Sequence, residues 1–214
     1  AIQKIIQVTN PTAKSDSEPA MSSSVRSSMP RGPKVNKAPK AKLIATAAAT
    51  PAQPSRWHSL RVRAVVDETH DAKSLVFDMP AQSAEPGTVW RYRPGQFLTL
   101  RLPVEGRHLP RCYSMSSAPG VDDALRVTVK RVNGGRGSNW ICDRLKAGDQ
   151  VEVLPPAGVF TPTTLEGDFL LLAGGSGITP VFSILRSALA QGHGRIVLLY
   201  ANRDERSVIF RREL

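Results

Sequence analysis

Cysteine is scarce in this chain: Cys112 and Cys142 are the only two among 214 residues. Two thiols cannot supply the four thiolates that hold an iron–sulfur cluster. Without a signal peptide they read as free thiols in a reducing compartment, which points to the cytoplasm. Long apolar runs are also missing. Leu43–Ala49 and Phe169–Ala173 fall well short of the ~18–20 residues of a membrane span. The histidines at 58, 70, 108 and 193 are scattered, and none has metal-ligand spacing, so no metal site is expected. Residues 1–56 contain no Phe, Tyr or Trp, and no acid occurs from Met21 to Val66. A segment so poor in large apolar groups cannot offset its ordering entropy, so 1–56 reads as a disordered basic leader.

Charge follows the same division. The net charge is +11, of which the leader supplies +7 and the remainder +4. The basic excess therefore belongs mostly to the leader. Its Ser-rich stretch from Met21, free of acids, fits a transit peptide, although a flexible leader is the preferred reading. Without aromatic platforms for bases, no nucleic-acid partner is expected.

From Trp57 the texture becomes that of a folded domain. Leu60, Val62 and Ala64 alternate with Arg61 and Arg63, a period-2 strand signal. Further strands are predicted at Lys73–Met79, Phe97–Leu102, Arg111–Met115, Leu125–Val132 and Val151–Leu154, the last ended by Pro155-Pro156. A short helix over Ser138–Leu145 has Ser138 as its expected N-cap. Six short strands with frequent turn signals and one small helix predict an antiparallel barrel over 57–160. Phe169–Ala173 then reads as a strand buried on both faces. It leads through Gly174-Gly175-Ser176-Gly177 into a helix with Pro180 in its first turn, ended by Gln191-Gly192. Ile196–Tyr200 is a second buried strand, and Ser207–Leu214 starts a further helix. This is a parallel βαβ unit over 161–214. Two parallel strands cannot cover both their faces, so the sequence is expected to be truncated inside a nucleotide-binding domain.

Three stretches carry chemistry. Arg111-Cys112-Tyr113-Ser114 offers a cation, a flat ring and a hydroxyl, with Arg111 and Tyr113 on one strand face. A planar ring can stack on Tyr113 while Arg111 holds its phosphate and Ser114 bonds its edge. A flavin nucleotide has all three features. The tetrapeptide alone also fits an ordinary half-buried strand with a surface arginine. Gly174–Pro180 lies between a buried strand and a helix, where free N–H groups and the helix dipole favour a phosphate. Pro180 occupies the third glycine position of the usual dinucleotide fingerprint, and a ligand-free tight turn fits as well. Gly134-Gly135-Arg136-Gly137-Ser138 suits a pyrophosphate, or a hairpin loop with an N-cap serine. Cys112 should face away from Tyr113 and pack, and Cys142 should pack under the short helix.

Taken in order, Pro94-Gly95-Gln96-Phe97, Arg111-x-Tyr113-Ser114, Gly135-x-x-Ser138 and Gly174-Gly175-x-Gly177-Ile178-Thr179-Pro180 resemble the ferredoxin–NADP reductase family. The details are most similar to NAD(P)H-dependent reductase components of bacterial oxygenases and hydroxylases. The resemblance covers residues 57–214. It implies a six-stranded antiparallel flavin-binding barrel followed by an incomplete Rossmann-like βαβ domain. It further implies that Arg111 holds the FAD phosphate, Tyr113 stacks on the isoalloxazine and Ser114 bonds near N5. Val129 and Lys130 would line the flavin, and Gly135, Gly137 and Ser138 would bind the pyrophosphate. Gly137 departs from the bulkier residue often found there. Gly174, Gly175, Gly177 and Thr179 would meet NADH or NADPH, with Thr179 at the nicotinamide. Tyr113, Ser114 and Thr179 are the candidate catalytic groups. The implied activity is hydride transfer from NAD(P)H to FAD, then single-electron delivery to a ferredoxin or oxygenase component. A 2Fe-2S cluster enters only if a further C-terminal domain carries it. A non-enzymatic flavin or nucleotide sensor on the same scaffold is the alternative.

Overall fold

The computed structural model describes residues 57–79 and 90–214, together with the backbone of Ile2–Val8. In chain order the elements are strands β1 (Ile2–Val8), β2 (His58–Thr69), β3 (Ala72–Phe77), β4 (Phe97–Val104), β5 (Arg107–Ser114) and β6 (Leu125–Lys130). Helix α1 (Arg136–Arg144), strands β7 (Gln150–Ala157) and β8 (Phe169–Gly174), helix α2 (Ile178–Gln191) and strand β9 (Ile196–Asn202) follow.

Six strands pair antiparallel in the order β5-β4-β7-β2-β3-β6. A bridge between Met115 and Val127 joins the two ends of the sheet into the expected barrel. Alternation fills its interior: Leu60 and Val62 are buried while Arg61 and Arg63 are exposed. Leu75, Phe77, Leu98, Leu100 and Val127 are fully buried in the same core, with Trp90, Tyr92 and Trp140 packed against it.

Several boundaries differ from expectation. β4 and β5 form a longer hairpin than the sequence predicts, turning at Glu105-Gly106, both with positive φ (50° and 71°). β7 runs through Pro155-Pro156 instead of stopping there. The prolines fall in a register shift, because Leu154 faces Thr99 while Ala157 faces Phe97. Beyond Val153 the other neighbour, β2, no longer pairs, so the missing N–H groups are tolerated. Helix α1 begins earlier, at Arg136, with Gly135 as N-cap and no side-chain cap. Ser138 is therefore not the cap. It lies inside the helix, buried, and its Oγ accepts from the Val132 N–H at 3.1 Å.

The second layer is the expected βαβ unit: β8 and β9 pair parallel with α2 between them. Val181, Ile184, Leu185 and Ala188 bury one face of α2 against Leu198 and Tyr200 of β9. Phe182 stacks on Phe210 with ring centroids 4.2 Å apart. Two expectations fail. β8 is not buried on both faces, since Leu170 and Leu172 are 66% and 64% exposed. Among the described residues, none covers that side. Ser207–Leu214 forms no α-helix but a 3₁₀ turn over Glu205–Ser207 and further turns. Phe210 has φ +60°, which α-helical geometry cannot accommodate.

β1 pairs antiparallel along the free edge of β9, from Ile2 opposite Asn202 to Val8 opposite Ile196. The sequence reading placed this stretch in the disordered leader. Its run of Ile and Val residues suits a strand, and the open edge of β9 supplies unpaired backbone groups. The rest of the leader, 9–56, lies outside the described residues.

The barrel and the βαβ unit meet through a polar seam. Arg186 on α2 grips Asp122 with two hydrogen bonds of 2.5 and 2.8 Å. The Ser183 hydroxyl donates to the Ser117 carbonyl at 2.6 Å. Arg126 on β6 lies over both stacked rings, 5.5 Å from Phe182 and 5.1 Å from Phe210, and pairs with Glu213 at 3.0 Å.

Candidate functional site

A cleft of about 670 Å³ opens where β5, the loop into α1, β6 and the start of α2 converge. The three stretches singled out for their chemistry all contribute to it, whereas Pro94–Phe97 does not. β5 brings Arg111, Tyr113 and Ser114, the α1 loop brings Gly135, Gly137 and Ser138, and the α2 start brings Gly177 and Thr179. Lys130 enters from β6.

The pairing register explains how β5 presents its groups. Tyr113 lies opposite Leu98 and Arg111 opposite Leu100, so both side chains share the face of those two core leucines. A Cβ placed on Gly137 would lie 3.1 Å from Arg111 Cγ and 3.5 Å from the Tyr113 hydroxyl. The first turn of α1 is thus pressed against both residues because position 137 has no side chain. The Arg111 guanidinium donates only to the Pro110 carbonyl, at 2.8 Å. It has no carboxylate partner among the described residues. Burial pushes the Tyr113 phenol up to about 12, against a smaller opposing pull from Arg111, so its ring stays neutral at ordinary pH.

The α2 start is built differently. The Thr179 hydroxyl donates to the Ser176 carbonyl at 3.1 Å, closing the turn into the helix. Gly175 takes a positive φ of 49°, and its carbonyl accepts from the Tyr200 hydroxyl at 2.9 Å. Gly174 and Gly175 therefore shape the turn and do not line the cleft. Lys130 reaches Asp71 at 3.4 Å. Burial pushes the Asp71 carboxyl up, but the Thr69 hydroxyl and Lys130 outweigh it and hold it below its ordinary value.

Two expectations about side chains need correction. Val129 is fully buried in the barrel core and does not line the cleft. Strand alternation sends Thr128 and Lys130 outward instead. Cys112 does not pack: it is exposed, on the side of Thr99, whose hydroxyl is 3.4 Å from its sulfur. Cys142 is buried as expected, and burial raises its thiol pKa. The lining residues not assigned to the site by sequence reasoning are Cys112, Thr128, Val132, Gly134, Arg136, Ser176 and Pro180. Thr128 was within reach, being two residues before Lys130 on the same strand.

The residues present fit a flavin dinucleotide. A guanidinium with no carboxylate partner among the described residues, a neutral ring and a glycine-opened helix start converge on one cleft, and the first turn of the helix presents N–H groups to a pyrophosphate.

Residues 59–161 match the family model of the oxidoreductase FAD-binding domain, and residues 171–214 match that of the oxidoreductase NAD-binding domain. The chain belongs to the ferredoxin–NADP reductase family. Within this family it is 58% identical over 161 residues to the ferredoxin reductase component of a 3-ketosteroid-9-alpha-monooxygenase from Rhodococcus rhodochrous. That match covers 75% of this chain and 45% of the relative. The glycine betaine monooxygenase reductase subunit of Pseudomonas aeruginosa is 36% identical over 159 residues, covering 73% of this chain and 42% of the relative. Among solved structures, phthalate dioxygenase reductase superposes with a TM-score of 0.63 at 29% identity, over 74% of this chain and 47% of that one. The chain spans less than half the length of these relatives. Among the described residues, no helix is long and apolar enough to cross a membrane.

Proposed function

We propose that this chain is the flavin-binding part of an NAD(P)H-dependent reductase that supplies electrons to an oxygenase system. Residues 57–160 form the FAD-binding domain, and 161–214, with β1 on the edge of β9, belong to the NAD(P)-binding domain. The single observation that carries the reading is the convergence of Arg111, Tyr113, the Gly135–Ser138 loop and the α2 start on one cleft.

FAD held by Arg111, Tyr113 and the Gly135–Ser138 loop would supply hydride acceptance and one-electron release. The chain's own residues bind and orient. Arg111 would neutralise a flavin phosphate, helped by the backbone N–H groups of the first α1 turn. Tyr113 would support the ring system by stacking, and Ser114 would hydrogen-bond its edge near N5. Gly177 and Thr179 would bring the nicotinamide to the opposite side. The Arg186–Asp122 and Ser183–Ser117 contacts hold α2 against the barrel, and so fix the spacing between the two binding halves.

The electron acceptor is proposed to be a ferredoxin or an oxygenase component. The 58% identity to a reductase named for a 3-ketosteroid-9-alpha-monooxygenase favours an oxygenase acting on a steroid-like substrate. A 2Fe-2S cluster would need thiolates from outside this sequence, which has two cysteines. The cytoplasm suits the free thiols Cys112 and Cys142. The comparisons give no support to a non-enzymatic sensor.

The test is optical. Purified chain loaded with FAD should be yellow and should bleach anaerobically on addition of NADH or NADPH. Replacing Arg111 and Tyr113 together by alanine should abolish flavin retention. Unchanged pigment in that double variant would refute the binding mode. Bound flavin that neither donor bleaches would refute the reductase reading for this chain.

A further inference from the structure

Ser74 of β3, Thr128 of β6 and Ser116, just past β5, are three buried residues joined hydroxyl to hydroxyl. Thr128 Oγ1 is 2.7 Å from Ser74 Oγ and 2.8 Å from Ser116 Oγ. Ser74 Oγ in turn donates to Glu68 Oε1 at 2.5 Å. Ser74 and Ser116 are fully buried and Thr128 is 4% exposed. Ser74 and Thr128 are direct partners in the β3–β6 register, which sets the spacing of their hydroxyls.

The two ends of the Thr128–Ser74–Glu68 run open on different spaces. Thr128 lines the cleft that holds Tyr113 and Ser114. Glu68 lines a second cavity of about 600 Å³, on the side of Arg206, Arg211 and Arg212. A seam that merely satisfied buried hydroxyls would need neither a carboxylate at one end nor a ligand cleft at the other.

We propose that Thr128, Ser74 and Glu68 form a proton path from the flavin cleft to this second cavity. The proposal rests on the function assigned above. A hydride is one proton with two electrons. When the electrons leave singly to a one-electron protein acceptor, the proton must leave as well. In the path, Thr128 Oγ1 takes that proton from the cleft and passes its own to Ser74. Ser74 passes its own to Glu68 Oε1, and Glu68 releases it to water in the second cavity. Each oxygen gains one proton and gives one up, so the hydroxyls end as they began. Ser116 is a side branch, hydrogen-bonded to Thr128 and, at 3.4 Å, to the Arg126 carbonyl.

The surroundings of Glu68 suit a transient proton acceptor. Burial raises its pKa; the Ser74 hydrogen bond opposes this, Glu213 adds to it, and Arg126 and the Phe210 N–H oppose it. Of the other charged groups lining the cavity, Asp67 and Glu205 are acidic and Arg206, Arg211 and Arg212 basic.

The experiment uses the FAD-loaded chain, reduced chemically and then reoxidised by ferricyanide, so that the nicotinamide site is not required. Two signals are read. Infrared difference spectra between oxidised and reduced protein should show the carbonyl band of a protonated carboxylic acid that is lost in Glu68→Gln. Reoxidation should show a solvent deuterium isotope effect. Glu68→Gln, Ser74→Ala and Thr128→Val should each slow reoxidation, measured per bound FAD, by about 10²-fold, a typical worth for a positioned proton-transfer group. Thr128→Ser, which keeps the hydroxyl, should restore the rate. A protein that binds FAD but shows no Glu68 band and the same reoxidation in all variants overturns the path alone. A protein that binds no FAD overturns both the path and the function beneath it.

Discussion

A methyl group at position 137 would sit 3.1 Å from Arg111 Cγ and 3.3 Å from Leu102 Cδ1. Gly137→Ala therefore sets two effects against each other. Alanine within α1 gains about 1 kcal/mol of helix propensity, while crowding a packed site costs about 1–3 kcal/mol. The expected result is a melting temperature near that of the parent with weaker FAD binding, because Arg111 is the group that must yield. Thermal denaturation and a flavin titration on the same sample check this. Glu68 gives a prediction of opposite character. Its folded pKa is raised above its ordinary value of 4.5. The folded state thus prefers the neutral acid, and the stability this contributes is complete below that value and lost as pH rises towards the folded pKa. Glu68→Gln should flatten that decline, as seen in denaturant midpoints measured across mildly acidic to neutral pH.

At the scale of elements, the buried Ser138 hydroxyl ties α1 to the preceding loop by accepting from the Val132 N–H. Ser138→Ala leaves that N–H without its partner and should cost about 1–3 kcal/mol. Hydrogen exchange at Val132 should accelerate in the variant. Most of the strands could be read from alternation, because Leu60, Val62, Leu98 and Leu100 each point into one interior. The site was legible for the same local reason: Arg111, Tyr113 and Ser114 are neighbours on β5, and the two glycine loops precede helices. What could not be read were features set by partners distant in sequence. The prolines of β7 are tolerated only because β2 stops pairing at Val153 and β4 shifts register. Val129 was assigned to the flavin because its strand was right, but the inward or outward sense of that strand was not fixed by composition. The helix expected over Ser207–Leu214 fails at Phe210, where stacking on Phe182 and contact with Arg126 hold a left-handed backbone.

For the molecule as a whole, the seam between barrel and βαβ unit decides whether two correctly formed halves act together. The Arg186–Asp122 pair is mostly shielded, with side chains 27% and 24% exposed. Its two hydrogen bonds to charged groups are worth about 1.5–3 kcal/mol each at most. Asp122→Ala should leave FAD bound in the barrel, because Asp122 does not line the cleft. It should slow bleaching by reduced nicotinamide, because α2 and its Gly177–Thr179 start would no longer be held in register. Stopped-flow reduction alongside equilibrium flavin content separates the two outcomes. A loss of flavin in this variant would show that the seam supports the barrel itself.

The three tryptophans are all on one side of that seam. Trp57 lies beneath Arg101 at 5.5 Å, and Trp90 and Trp140 pack against the barrel core, while 161–214 has none. Indole emission is consequently a built-in reporter of the barrel. It should fall by energy transfer when a yellow chromophore docks, and it should stay silent while the βαβ unit melts on its own.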